Sequence, residues 1–495
     1  NNVTIGKDAG TAITTGDNNT FIGYASGDAL TTSSDNTAVG KSSMSALTTG
    51  GSNTAVGLSA LSDDTQGSKS TGVGYQALST QNFTSATDSH NTAVGYNAGS
   101  LISTGVQNTL VGSLAGDALT TQNNNTAVGY LALSAETNNN GNTAIGAEAL
   151  KTQNASGDGD ARNTAVGQNA GTSITSGPKN TIVGALAADA LTTGEMNVAM
   201  GHEALSADTD GDKSVAIGTS ALKAQNFSGS TISYNTAVGT FAGTKLTTAT
   251  YNTIIGYEAG KEILAGGTNT LLGVLAGGAL TSGNGNICIG IEAGLNNVAV
   301  SDGTNNIFIG YQARANATNA SQQIVLGRQV TCTGNSNFTF GDGGTDSNIA
   351  FGATSITAPS DERYKEEITT STAGLSFIND LRPVTFKWKK EKDVPSDHEA
   401  YVEGSDTRVM LSDGETNHGF IAQEVKTAID AHSEIKDGFR MWSEDQRYDD
   451  DGNLIADGRQ RVAPSELIPI LTKAIQELSA KNDALETRIA ALEAE

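Results

Sequence analysis

The run Asn53-Thr54-Ala55-Val56-Gly57 decides how this chain is read, because it does not occur once. Asn36-Thr37-Ala38-Val39-Gly40 precedes it, Asn91-Thr92-Ala93-Val94-Gly95 follows, and looser copies continue to Gln323-Ile324-Val325-Leu326-Gly327. The closing glycines number 19, from Gly6 to Gly327. They step by 17 residues, except for 21 after Gly74, Gly146 and Gly218 and 20 after Gly290. Three short steps and one long one give a super-period of 72, so Gly23, Gly95, Gly167 and Gly239 are equivalent. A double period of this kind belongs to a repeating rod and not to a globular enzyme.

Numbering from the glycine, position −1 is always aliphatic or Met, −2 is usually Ala or another apolar residue, and −3 is usually Thr. Position −4 is Asn in 16 of 19 repeats and +3 is Ala in 16 of 19, so these slots carry structure and not chance. As a strand, the motif puts −1 and −3 on one face and −2 and −4 on the other. The larger aliphatic at −1 is expected to fill the inside of a coil, with the small −2 residue meeting a second surface. Asn at −4 suits the corner before the strand, and stacked coils would set these Asn amides in a ladder, each bonding the next. Gly ends the strand where a side chain would clash or φ must be positive.

Helix does not fit segments so short, so rich in Thr, Asn and Gly, and without a 3.6-residue period. Disorder does not fit strict phase over 19 repeats. The fold class expected is mainly β: a parallel β-solenoid or β-roll shaft over residues 1–330, roughly 90 Å long at one inter-strand spacing per coil. The fourth coil of each block carries four extra residues, in loops that begin Gln81-Asn82-Phe83, Gln153-Asn154-Ala155 and Gln225-Asn226-Phe227. Such insertions map to the surface. They are read as solvated bulges, with a binding role as the alternative.

Charge divides the chain. Residues 1–359 hold 12 Lys/Arg and 24 Asp/Glu, whereas residues 360–495 hold 17 and 29 in far less sequence. The formal net charge of −24 excludes nucleic acid and anionic membranes as partners through a general field. Cys288 sits in the apolar −2 slot and Cys332 has no partner at metal or disulfide spacing, and the five His show no ligand pattern. No cofactor or metal is expected. No stretch reads as a membrane span or signal peptide, so no membrane insertion is expected. Because a repeat begins at once, the chain is expected to be a fragment or processed product lacking an N-terminal attachment region.

Residues 331–359 form a transition in which the repeat decays through Phe340-Gly341-Asp342 and Ile349-Ala350-Phe351-Gly352. Then comes Ser360-Asp361-Glu362-Arg363-Tyr364-Lys365-Glu366-Glu367-Ile368, which taken alone reads as a helix start with Ser as N-cap. Three further runs follow: Gly374-Leu375-Ser376-Phe377-Ile378-Asn379 with Leu381-Arg382-Pro383-Val384-Thr385-Phe386-Lys387-Trp388, then Gly419-Phe420-Ile421-Ala422-Gln423-Glu424-Val425, then Leu467-Ile468-Pro469-Ile470-Leu471. In this order they resemble the intramolecular chaperone domain of endosialidases and other phage tail fibres and spikes, the peptidase S74 family. The repeats are similar, more loosely, to tail-fibre arrays and to the head rolls of trimeric adhesins.

The resemblance implies a small α+β chaperone domain over residues 360–465 that holds three chains together while the shaft folds, then cuts itself off. It implies Ser360 as nucleophile, Lys365 as base and Pro359–Ser360 as the scissile bond. A Ser hydroxyl needs an adjacent base, and Lys serves only when burial or nearby positive charge lowers its pKa; Glu366 and Glu367 would oppose that. Tyr364 stands where the family usually has Leu.

Over residues 466–495, Ile468, Leu471, Ile475, Leu478, Asn482, Leu485, Ile489 and Leu492 alternate in steps of 3 and 4, a coiled-coil stripe. The heptad rule alone favours two strands, and the resemblance implies three. Asp449-Asp450-Asp451-Gly452-Asn453 lacks EF-hand spacing and reads as a turn between short strands. The function expected is a homotrimeric phage tail fibre, located in the virion, whose partners are its own copies and a bacterial cell-surface receptor, a glycan among the candidates. Its only enzymatic activity would be autoproteolysis. The alternative is a bacterial cell-surface trimeric adhesin.

Overall fold

In the computed structural model, the described residues are 1–155, 161–295, 300–396, 398, 400–410, 415–445, 447–448, 454–455 and 459–494. Two compact units divide at Ser360 and Asp361.

The first unit is the parallel β-solenoid that the 17-residue period predicts. Three-residue strands such as Thr37–Val39 and Thr54–Val56 pair in parallel, in register, one coil to the next. With the strands at the C-terminal end of the shaft they make a 21-stranded sheet. The repeat glycine is needed twice over. At Gly57 φ is +137°, and a Cβ there would lie 2.2 Å from the carbonyl oxygen of Gly74 on the next coil. The chain therefore turns out of the strand where the neighbouring backbone leaves no room for a side chain.

The alternation of the strand is as expected, but its sides are exchanged. From the second coil on, position −2 is inside: Phe21, Ala55, Leu110 and Ile182 are fully buried. Position −1 is outside, with Ile22, Val56, Ile145 and Leu272 at 36–45% exposure. Asn at −4 explains the inversion. Asn108 Oδ1 accepts the backbone N–H of Asn125 at 3.0 Å, while Asn108 Nδ2 donates to the carbonyl of Gln122 at 2.8 Å. These bonds satisfy coil-to-coil backbone groups only from within, and whatever shares parity with Asn comes inside with it. The Asn ladder thus runs mainly from side-chain oxygen to backbone N–H, with amide-to-amide contacts secondary.

Inside, position −2 and position +4 compensate in volume. Phe21 shares its coil with Gly27, where a Cβ would strike the Phe21 ring at 2.8 Å. Ala55 shares its coil with buried Leu61. Leu61, Leu78 and Leu133 adopt positive φ, between 51° and 54°. Left-handed backbone costs a Leu about 1 kcal/mol or more, so packing overrides local preference there. Cys288 lies in this core, and burial pushes its thiol pKa up to about 12.

The first and third enlarged loops are anchored by a packed Phe although residues 84–86 and 228–230 are exposed, so they are not wholly solvated bulges. Phe83 and Phe227 are each 5% exposed. Thr87–Asp88 pairs with Gly67–Ser68, and Thr231–Ile232 with Gly211–Asp212. Residues 156–160 of the middle loop lie outside the described residues. After the last coil, Asn337–Asp342 adds in parallel and Thr345–Ala350 folds back antiparallel, which covers the open sheet edge.

The second unit is small and mixed. Helices α1 (Leu375–Asp380), α2 (Ala422–Ala431) and α3 (Leu467–Glu493) accompany short antiparallel pairs, among them Val384–Phe386 with Asn417–Gly419 and Trp442–Glu444 with Gln460–Val462. The acidic run Asp449 to Asn453 lies outside the described residues.

Candidate functional site

The scissile bond expected from sequence lies at the end of the first unit. Upstream, Asn348 and Thr357 exchange backbone hydrogen bonds at 2.8 and 2.7 Å, tying the chain to the terminal hairpin. Residues 351–360 are exposed, so Pro359 and Ser360 are open to solvent in the single chain. Ser360 is the last residue of this unit.

Lys365 lies in the second unit and is exposed. A short 3-10 turn, Glu362–Tyr364, precedes it, and Lys365 closes the turn by donating its N–H to the Glu362 carbonyl. The cap of this turn is Asp361 and not Ser360: its carboxylate accepts the Arg363 N–H at 2.9 Å and pairs with the Arg363 guanidinium. The bonds from Arg363 hold the Asp361 carboxyl below its ordinary range. Glu366 and Glu367 are exposed, and Glu367 has φ of 54°.

The quoted motifs, far apart in sequence, meet in one core. Phe377 of α1, Val425 and Ile429 of α2, Met441, and Leu467 and Ile470 of α3 are buried together. Phe377 packs edge-on against His432 and Phe439. Polar contacts orient the pieces. Glu477 of α3 accepts the Leu375 N–H at 2.9 Å, placing a carboxylate at the start of α1 and lowering its own pKa. Arg382 clamps Glu424 with both arms of its guanidinium, joining the end of α1 to α2. His432 stands between two carboxylates, with Nε2 2.8 Å from Asp380 and Nδ1 3.1 Å from Glu434. When the imidazole is protonated, both ring nitrogens donate to these carboxylates. The bond to Asp380 raises its pKa.

Helix α3 serves two purposes by face. Leu467, Ile470 and Ala474 are buried in the unit's own core. Ile468, Leu471, Ile475, Leu478, Leu485, Ile489 and Leu492, the heptad positions, are 40–66% exposed.

Sequence reasoning found the motifs but not Glu477 or the His432 clamp. Glu477 looks like any surface heptad residue, and only the placement of α1 beside α3 reveals its partner. Asp380 and His432 are separated by 52 positions. Among the described residues no group of three His, Cys, Asp or Glu side chains is placed to hold a metal ion.

Comparison with known families gives one match. Residues 360–433 match the family model described as chaperone of endosialidase, peptidase S74. No curated protein and no solved structure matches the chain. A domain of that family thus stands at the C-terminal end of a β-solenoid shaft, an architecture that fits a tail fibre or a trimeric adhesin.

Proposed function

We propose that this chain is a phage tail fibre: a homotrimer in the virion whose shaft contacts a bacterial surface receptor and whose C-terminal domain assembles the trimer and then cleaves itself from the shaft. One observation carries the reading. The −1 column presents an outward aliphatic residue on nearly every coil, from Ile5 through Val94 to Leu326. Soluble monomers rarely expose contiguous apolar patches beyond a few hundred Å², and this column runs the length of the shaft. The exposed heptad face of α3 repeats the demand for identical partners at the other end of the chain. Copies of the same chain satisfy both at once.

The cleavage chemistry follows from the family. Ser360 Oγ adds to the Pro359 carbonyl carbon as Lys365 takes the hydroxyl proton. The Ser360 nitrogen takes that proton back from Lys365 and leaves as an amine, and water hydrolyses the resulting ester to a Pro359 carboxylate and the free Ser360 hydroxyl. A lysine base requires desolvation, whereas Lys365 is exposed in the single chain. Assembly would supply that burial and so tie cleavage to trimer formation.

The test compares the wild-type chain with Ser360→Ala, Lys365→Ala and the assembly variant Leu478→Asp/Leu485→Asp. On a denaturing gel the wild type gives two fragments and all three variants stay whole. In solution the wild type has the mass of three shafts. A wild type that stays intact beside the variants removes the autoprotease, and a monomeric shaft removes the fibre.

A further inference from the structure

From the coil of Gly23 to that of Gly273, each coil places one side chain at +7, and all of these, from Leu30 to Leu280, are buried. Two successive coils of each 72-residue block are apolar there: Leu30 and Leu47, Ile102 and Leu119, Ile174 and Leu191. The third coil carries an acid and the fourth a glutamine: Asp64 with Gln81, Glu136 with Gln153, Asp208 with Gln225. The structure joins each pair. Gln81 Nε2 donates to Asp64 Oδ2 at 2.6 Å, Gln153 Nε2 to Glu136 Oε2 at 2.8 Å, and Gln225 Nε2 to Asp208 Oδ2 at 2.6 Å.

The glutamine also faces forward. Gln81 Oε1 accepts from Asn91 at 2.9 Å, Gln153 Oε1 from Asn163 at 2.9 Å, and Gln225 Oε1 from Asn235 at 3.0 Å. Each relay therefore spans three coils. Among the described residues, no salt bridge is formed by these three carboxylates. Their remaining bonds come from backbone and amide groups, such as Gly67 N–H on Asp64 at 2.9 Å and Asn139 N–H on Glu136 at 2.8 Å.

Elsewhere one coil resembles the next. Where neighbouring coils share the same −2 and +4 residues, Asn stacks on Asn, Gly on Gly and Leu on Leu, so a coil that skipped its neighbour would meet similar chemistry. Looping out a coil costs little that depends on which coil it is, since closure entropy grows only slowly with length. Mis-stacking of this kind is a characteristic failure of repeat proteins. At the acid–glutamine step it is not silent. If the coil of Gln81 is skipped, the Asp64 carboxylate stacks on Ile102. If the coil of Asp64 is skipped, Gln81 stacks on Leu47. Each leaves a buried polar group without its partner.

We propose that the three acid–glutamine pairs are register keys, which reject any stacking that skips the 21-residue coil or the coil before it and so fix where each enlarged loop stands along the shaft. The insertion itself is read by the first and third carboxylates. Phe83 N–H donates to Asp64 Oδ1 at 3.4 Å, and Phe227 N–H to Asp208 Oδ1 at 3.2 Å.

Deletions in the full chain test this directly. Removing residues 257–273 takes out an apolar coil, leaves Ile254 with a glycine, Gly277, at +4, and keeps every key intact. Removing residues 75–95 stacks Asp64 on Ile102. The first variant should melt near the wild type and keep a protease-resistant shaft. The second should lose protease resistance around the junction and melt lower by roughly 5 °C or more. Adding Asp64→Leu to the second should restore both readouts, because Leu at +7 is what the apolar coils carry. The proposal is overturned if the two deletions behave alike, or if Asp64→Leu fails to rescue.

Discussion

Leu61 in the shaft and Phe377 in the C-terminal unit are both buried, but by different kinds of neighbour. Leu61 is enclosed by its own coil and the coils that adjoin it, in a core that continues from Phe21 to Cys332. Phe377 is enclosed by residues drawn from Ala373 to Ile470, the main buried apolar cluster among the described residues of its unit. The first arrangement is redundant and local. The second depends on each of its few members. A shaft built from nearest-neighbour contacts should open in pieces, whereas the C-terminal unit should be lost all at once.

Phe377→Ala tests the second half of that contrast and should have the largest effect. Truncating a fully buried Phe costs about 3–5 kcal/mol, a large share of what so small a core supplies. Hydrogen exchange should show α1, α2 and the first turns of α3 losing protection together, with the shaft unchanged. If protection falls only around α1, the unit is not held by one core.

Gly57→Ala tests the first half. The new methyl would lie 2.2 Å from the Gly74 carbonyl oxygen, at a φ of +137°, and the strain is worth about 3 kcal/mol. Protection should fall in the coils of Gly57 and Gly74 and their immediate neighbours only. Loss spreading along the shaft would show that the coils are coupled beyond their neighbours, and the comparison with Phe377 would fail.

The same contrast sets how much could be read from sequence. The shaft was legible because each coil meets copies of itself, so a period in sequence is a contact in space. Position by position the reading went less far. Parity alone could not choose which face of Asn53-Thr54-Ala55-Val56-Gly57 lies inside. The deciding signals were Asn at −4, which must be inside to bond the next coil, and the trade of Phe21 with Gly27 against Ala55 with Leu61. Left-handed Leu61 and Leu78 left no local trace, because tertiary packing imposes that conformation against preference. In the C-terminal unit the motifs stood out, but pairs such as Glu477 with Leu375, or His432 with Asp380, lie dozens of positions apart without a repeat to announce them. Asp361, adjacent to Ser360, took the capping role expected of the serine because its carboxylate also pairs with Arg363.

pH offers the finest separation of the two regions, with the smallest expected effect. In the shaft, burial raises the Asp64 and Asp208 carboxyls despite the bonds from Gln81 and Gln225. A group raised on folding stabilises when protonated. Its contribution is complete below the unfolded value, about 3.9 for Asp, and is lost as pH climbs through the folded value. His432 is raised by its bond to Asp380, so its contribution is complete below about 6.5 and is lost above that, as pH passes the folded value. Both regions should therefore soften as pH rises, but in separate windows: the shaft in the range of a raised carboxyl, the C-terminal unit in the range of a raised histidine. Asp406, held at about 2 by Lys390 and Lys392, and Asp445, held at about 2 by Arg461 and Arg459, act in reverse and weaken the C-terminal unit only as pH falls below the ordinary Asp value. Melting followed from pH 4 to 9 should show the C-terminal transition declining between neutral and alkaline pH in the wild type and staying flat in His432→Gln. The Asp64→Leu/Gln81→Leu shaft should lose part of the earlier decline and leave the later one untouched. A histidine variant that still declines, or a decline shared by both transitions at one pH, would mean that the two regions do not titrate independently.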